Sequence, residues 1–177
     1  MTRSCLTPDP IRVARTALHR LVLGTLLGLA AASAAQATSF QVGATILVSC
    51  TVSGTALSFG GSVDPLLASG PVDASAALAV VCTNTTPYTL ALNAGVNAGG
   101  GANFGARTLK HSNGSAALPY QLYLDAGRSK VWGDGANAYS GTGTGNAQSV
   151  TIYGRLPSLA GAVPGNYSDT VTVTVSY

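Results

Sequence analysis

The sequence predicts an all-β sandwich, and three observations carry that prediction. The chain closes on Thr170 to Tyr177, where Val171, Val173, Val175 and Tyr177 alternate with Thr170, Thr172, Thr174 and Ser176. A strict period of two in β-branched residues marks a strand with one buried face. Further short runs of the same kind recur between Gly, Pro, Asn and Asp turn signals, about seven strands at the spacing of a sandwich. The composition agrees: Gly, Ala, Ser, Thr and Val dominate, only 8% of the residues are charged, and helical periodicity is sparse.

Residues 1–37 read as an export signal. Arg3, Arg12, Arg15 and Arg20 precede a 12-residue apolar run, Leu21 to Ala32, which is too short to span a bilayer. Ala35-Gln36-Ala37 is an A-x-A cleavage site, so the mature chain is expected to begin at Thr38 and to hold 140 residues, enough for one domain. The leader takes four of the nine basic residues with it. Arg107, Lys110, Arg128, Lys130 and Arg155 then stand against Asp64, Asp73, Asp125, Asp134 and Asp169. The mature chain is neutral, which gives no support to nucleic-acid binding.

After the leader, Phe40, Val42, Ala44, Ile46 and Val48 alternate with Gln41, Gly43, Thr45 and Leu47, an extended segment over 38–49. Strand character continues through Cys50-Thr51-Val52 and breaks at Gly54. Ala56 to Phe59 is expected to be a short strand stopped by Gly60-Gly61, and Asp64-Pro65 and Gly70-Pro71 mark turns. Ala74 to Thr83 is alanine-rich, which favours helix. Val80, Val81 and Thr83 are β-branched, however, and Cys82 has to reach Cys50, so this segment is assigned as strand. Strands follow over 88–92 and 107–111, separated by an aperiodic Gly/Asn/Ala loop. Asn113-Gly114 is a turn. Leu118 to Leu124 is expected to be one strand with Leu118, Tyr120, Leu122 and Leu124 on one face. Val131-Trp132 leads into a second loop, 133–145; Ser149 to Arg155 is a strand, and 157–164 is a loop into the terminal strand. That last strand has no neighbour after it, and 38–49 has no hairpin mate beside it. One end of the chain offers an open place, and the other a spare strand.

Of the three cysteines, Cys5 belongs to the leader. Cys50 and Cys82 are expected to form a disulfide in an oxidising compartment, tying the start of the first core strand to a strand of the partner sheet. Two thiols without a nearby histidine make a poor metal site. Gly141 to Gly145 lacks the Lys-Ser/Thr of a phosphate loop, and no helix follows it. Asp134-Gly135 carries too few carboxylates for calcium. His111 has no Gly-x-Ser-x-Gly nucleophile to serve and is expected on a strand surface, while the aspartates fall in turns and at strand ends. No catalytic, metal or cofactor site is expected. Trp132 is expected to pack partly buried; a second reading gives it, with 133–145, a sugar-stacking role in a monomeric secreted lectin-like sandwich.

Phe40-x-Val42-x-Ala44-x-Ile46 leading to Cys50, then Cys82, Arg107-Thr108-Leu109-Lys110, Tyr120 to Asp125, and Gly165-x-Tyr167-x-Asp169-Thr170-Val171-x-Val173-x-Val175 resemble the spore coat protein U domain, the pilin domain of archaic (Csu-type) chaperone–usher pili. The resemblance covers essentially all of 38–177, and the C-terminal run is its most specific part. It implies an immunoglobulin-like β-sandwich that is incomplete, lacking its last strand, with 1–37 a signal peptide, 38–49 a donor strand and 50–177 the pilin domain. It further implies donor-strand complementation, in which an extended strand is added to a sheet edge. A periplasmic chaperone lends a strand first, and an outer-membrane usher exchanges it for the N-terminal strand of the next copy or of a related pilin. The implied inward face of the donor is Phe40, Val42, Ala44, Ile46 and Val48. The implied groove edge and chaperone contact is Tyr167, Val171, Val173, Val175 and Tyr177. On this resemblance the chain is a non-enzymatic fibre subunit of the cell surface with an adhesive, biofilm-forming role, no cofactor, no nucleic-acid partner and no stable membrane insertion.

Overall fold

The computed structural model describes residues 35–68, 70–99 and 101–177. The expected leader lies almost wholly outside the described residues. Among the described residues ten strands follow one another: β1 (Cys50–Gly54), β2 (Val72–Cys82), β3 (Pro87–Leu92), β4 (Thr108–His111), β5 (Ala117–Pro119), β6 (Gln121–Tyr123), β7 (Tyr139–Thr142), β8 (Ala147–Leu156), β9 (Tyr167–Ser168) and β10 (Val173–Ser176). The only helical turns among the described residues are two 3₁₀ turns, Phe104–Ala106 and Gly135–Asn137. Every pairing is antiparallel. One sheet runs β1-β2-β8-β6, a second β10-β3-β7, and a small third β5-β4-β9.

The alanine-rich segment is β2, the central long strand of the first sheet. Its register with β8 runs from Val72↔Leu156 to Val81↔Ala147, and β1 covers its other edge over Cys50↔Cys82 to Gly54↔Leu78. Two paired edges override alanine's helical preference. Leu78, Val80 and Cys82 point into the core, and Ala77, Ala79 and Val81 point out. From β8 come Val150, Ile152 and Leu156, and from the opposite sheet Tyr88, Leu90 and Leu92, so inner faces of two sheets close on one core. The architecture is an all-β, immunoglobulin-like sandwich.

Four expectations need correction. The disulfide joins Cys50 and Cys82, but within one sheet: the two residues are directly opposite in the β1–β2 register, with Cα atoms 4.1 Å apart. Ala56–Phe59 is not a strand: among the described residues nothing pairs with its backbone. Leu118 to Leu124 is two strands, not one. β5 pairs with β4 and β6 with β8, and Tyr120 sits at the crossing, its N–H donated to the Arg107 carbonyl at 3.0 Å. Leu118, Tyr120 and Leu122 stay buried throughout, so the period of two survives while the hydrogen-bonding partner changes. Finally, the loop expected over 133–145 contains β7, which pairs with β3. Gly141 is required there: a Cβ at this position would lie 2.6 Å from Cζ of Tyr88.

Candidate functional site: an open groove

β10 is the edge of its sheet. Its ladder with β3 runs from Val173↔Leu92 to Ser176↔Thr89. Upstream the pairing continues in a modified form. The Asn93 N–H donates to the Thr172 carbonyl at 3.1 Å, the Asn93 side-chain oxygen accepts the Thr172 N–H at 2.9 Å, and the Val96 N–H donates to the Thr170 carbonyl at 3.1 Å. Residues 170 and 172 therefore bond toward β3. By the alternation of an extended chain, the peptide groups of Val171 and Val173 face the open edge.

Beside that edge lies a groove of about 1180 Å³. Its floor is core: Leu78, Leu92, Leu118, Leu122, Ile152 and Leu156. One rim is 54–65, the chain leaving β1; the other runs from Leu159 through β9 to Val173. The floor residues are themselves buried, and what the groove leaves without partners is the backbone of the strand edge beside it.

The second rim is braced by side chains. The Tyr120 hydroxyl donates to Asp169 Oδ2 at 2.7 Å, while Asp169 Oδ1 accepts the N–H groups of Asn97 at 3.2 Å and Thr170 at 2.8 Å. Burial, reinforced by that bond, pushes the Tyr120 phenol far above its ordinary range. Next to it, the fully buried Arg107 guanidinium donates to Gln121 Oε1 and to the Asn93 carbonyl, both at 2.8 Å, and lies 5.5 Å from the centre of the Phe104 ring. Burial lowers its pKa. His111 is buried, not on the surface as expected. Its Nδ1 accepts the Asn113 N–H at 3.1 Å, which leaves Nε2–H to donate to the Pro164 carbonyl at 3.1 Å; Tyr167 stacks edge-on at 5.0 Å. The imidazole thus holds the 164–167 stretch of the rim. Asp169 stands at a strand end, just after β9, and besides the neighbouring Thr170 N–H it takes the distant Tyr120 hydroxyl, whereas Asp64 and Asp125 accept N–H groups of their own loops.

The predicted groove-edge residues are divided. Tyr167, Val171 and Val173 line the groove. Val175 is half-buried against the core, outside the groove. Tyr177, 60% exposed, borders a separate hollow with Ile46 to Val48 and Thr83 to Pro87. In the predicted donor segment, residues 35–49 have no secondary structure; Phe40, Val42, Ala44, Ile46 and Val48 are all exposed, Ile46 at 83%. Trp132 is 0% exposed and donates its indole N–H to the Leu90 carbonyl at 2.9 Å. It offers no face to a sugar, which removes the lectin-like reading's stacking residue. Among the described residues no group of three His, Cys, Asp or Glu side chains is placed to hold a metal, and no helix is long and apolar enough to cross a membrane. The sequence reading missed Arg107 and the Tyr120–Asp169 pair. A lone arginine at a strand start carries no signal of burial, and the two pair members lie 49 residues apart.

Comparison with known proteins gives three findings. The sequence pattern of the Spore Coat Protein U domain matches residues 36–174. Protein U of Myxococcus xanthus is 28% identical over 169 residues, covering 86% of this chain and 92% of that protein. Among solved structures, the complex of CsuC with CsuE is similar with a TM-score of 0.50 and 24% identity. It is a chaperone–tip adhesion subunit pre-assembly complex from archaic chaperone–usher Csu pili of Acinetobacter baumannii. The match covers 75% of this chain but only 41% of the solved one, and it speaks for the fold.

Proposed function

Because the chain belongs to the Spore Coat Protein U domain family, we propose that it is a structural subunit of a chaperone–usher surface fibre, polymerised by strand donation and performing no catalysis. The observation that carries this reading is the open groove beside β10, together with an exposed alternating segment, 38–49, that among the described residues is paired only at its end, where the Ser49 carbonyl accepts the Thr83 N–H. The occupant is the 39–49 segment of a second copy. Its Phe40, Val42, Ala44, Ile46 and Val48 would cover the leucine floor, and its backbone would pair with the free edge at Val171 and Val173. A slip of one residue would turn Gln41, Gly43 and Thr45 inward, so the register is well specified. In this reading 1–37 is removed on export, 38–49 donates and 50–177 accepts. A periplasmic chaperone fills the groove until an outer-membrane usher exchanges its strand for the next subunit's. The finished polymer lies on the cell surface and serves adhesion.

Ile46→Asp tests it. A carboxylate placed on the apolar floor of a neighbour costs several kcal/mol unless it is paired, roughly 2–7 for even a neutral polar group. The variant's own groove is unchanged. Co-expression with a chaperone should give a normal binary complex and no fibres by electron microscopy. Normal fibres from Ile46→Asp would overturn strand donation in this register.

A further inference from the structure

The rim that leaves β1 behaves unlike the other. Residues 55–63 make no backbone–backbone hydrogen bond among the described residues; the one local bond is from the Gly60 N–H to Ser58 Oγ at 3.2 Å. The sequence alternation of Ala56-Leu57-Ser58-Phe59 would suit a strand, yet the segment bends inward instead. Leu57 and Phe59 are half-buried and pack against the core. They rest on Gly154, the one inward position of β8 that lacks a side chain: a Cβ there would lie 2.9 Å from Leu57 Cδ2 and 3.0 Å from Phe59 Cζ. The Phe59 ring also meets Tyr120 edge-on, centroids 6.3 Å apart. A notch in the floor of the groove is therefore already filled by two apolar side chains of the same chain.

We propose that Thr55–Phe59 is a resident plug, and that an incoming strand takes the groove only by lifting Leu57 and Phe59 off Gly154. This rests on the strand-donation reading and adds a regulatory step to it. The physical reason is competition for one surface. The floor cannot be covered twice, and a segment without backbone partners is held by its side chains alone, so it can be displaced without breaking a ladder. The plug shields the leucine floor from water and from chance contacts before assembly. It also lowers the apparent affinity of every donor by the fraction of time the groove stands open. A weak or misregistered strand is then refused where a full set of inward side chains is accepted.

The test uses the exported chain carrying Leu57→Cys, whose two native cysteines stay bonded, and a fluorescent peptide of residues 39–49. Peptide binding is read by anisotropy, and exposure of the new thiol by its rate of alkylation. The plug predicts that saturating peptide speeds alkylation, by roughly tenfold if the segment moves from mostly closed to open. Binding with unchanged or slower alkylation would overturn the plug and leave strand donation standing, since the segment would then stay in place and pair with the donor. No binding would overturn strand donation itself, and the plug with it. A second variant, Phe59→Ala, keeps Leu57 and should bind the peptide more tightly than the wild type; equal affinity would count against the plug.

Discussion

Tyr120→Phe would remove a single hydroxyl from the brace between the floor of the groove and its rim. The phenol donates to Asp169 at 2.7 Å, and phenylalanine keeps the ring and its contact with Phe59, so the change isolates the bond. A hydrogen bond to a charged group contributes about 1.5–3 kcal/mol. The lower end applies, since Asp169 is half-buried and keeps two backbone N–H donors. A loss of about 1.5 kcal/mol in a domain of this size lowers Tm by roughly 5 °C. Alkali gives a second signature. The folded pKa of Tyr120 is raised above 10.0, chiefly by burial, so the folded state keeps a proton that the unfolded chain gives up. The resulting stability is complete below pH 10 and declines as pH rises beyond it. Tyr120→Phe has no such decline at this residue, so its deficit should shrink above pH 10. Thermal melts at pH 7 and in alkali, for both single variants and the double with Asp169→Ala, measure all of this. A Tm within about 1 °C of wild type, or an equal cost in the Asp169→Ala background, would refute the brace.

Alkylation of the denatured, unreduced mature protein should find no free thiol, and replacing Cys50 and Cys82 together with Ala should cost about 3–4 kcal/mol in denaturant unfolding. Trp132→Phe removes the indole N–H bond to the Leu90 carbonyl and leaves a space in the core; urea unfolding should show a loss of about 2–4 kcal/mol. Asp73 is held below its usual 3.8 mainly by its bond to Arg155, with Arg128 also beside it. The stability this gives is present above that value and lost as pH falls through the folded pKa, so melts of Asp73→Asn and wild type should differ at pH 6 and converge in acid.

Much of the fold was legible because a period of two reports which way a side chain points. It placed Val173 and Val175 inward; the alanine-rich β2 was readable as strand from the β-branched Val80, Val81 and Thr83 and from the need for Cys82 to reach Cys50. The same signal is blind to which neighbour a backbone bonds. Leu118, Tyr120 and Leu122 alternate without a break, yet the chain changes sheets between them, because partner choice is settled by hydrogen bonds such as that from Tyr120 to Arg107. β7 stayed hidden because the residue at its centre, Gly141, is chosen for the space the Tyr88 ring takes and not for strand propensity. Of the candidate site, the alternation over 38–49 and the valines at 171 and 173 could be read. The inward bend of Leu57 and Phe59 could not, since it depends on a glycine nearly a hundred residues downstream. Nor could the burial of His111, whose partners Pro164 and Tyr167 are distant in sequence.

The position of the disulfide has a mechanical consequence. In a fibre joined by donated strands, tension would enter each subunit where the donor segment meets the domain, at Cys50. β1 is only five residues long and lies at the edge of its sheet. Pulled from its first residue, it would part from β2 one rung at a time, the weakest geometry for a ladder. The bond at Cys50 sends the load instead into Cys82 at the end of β2, which is paired along both edges. Reduction would open the 32-residue separation between the two cysteines. Once β2 is also stripped from β8, that is roughly 110 Å of extended chain per subunit at about 3.5 Å per residue. Single-fibre pulling should therefore show a stiff subunit when oxidised, and steps of that length once a reductant is added.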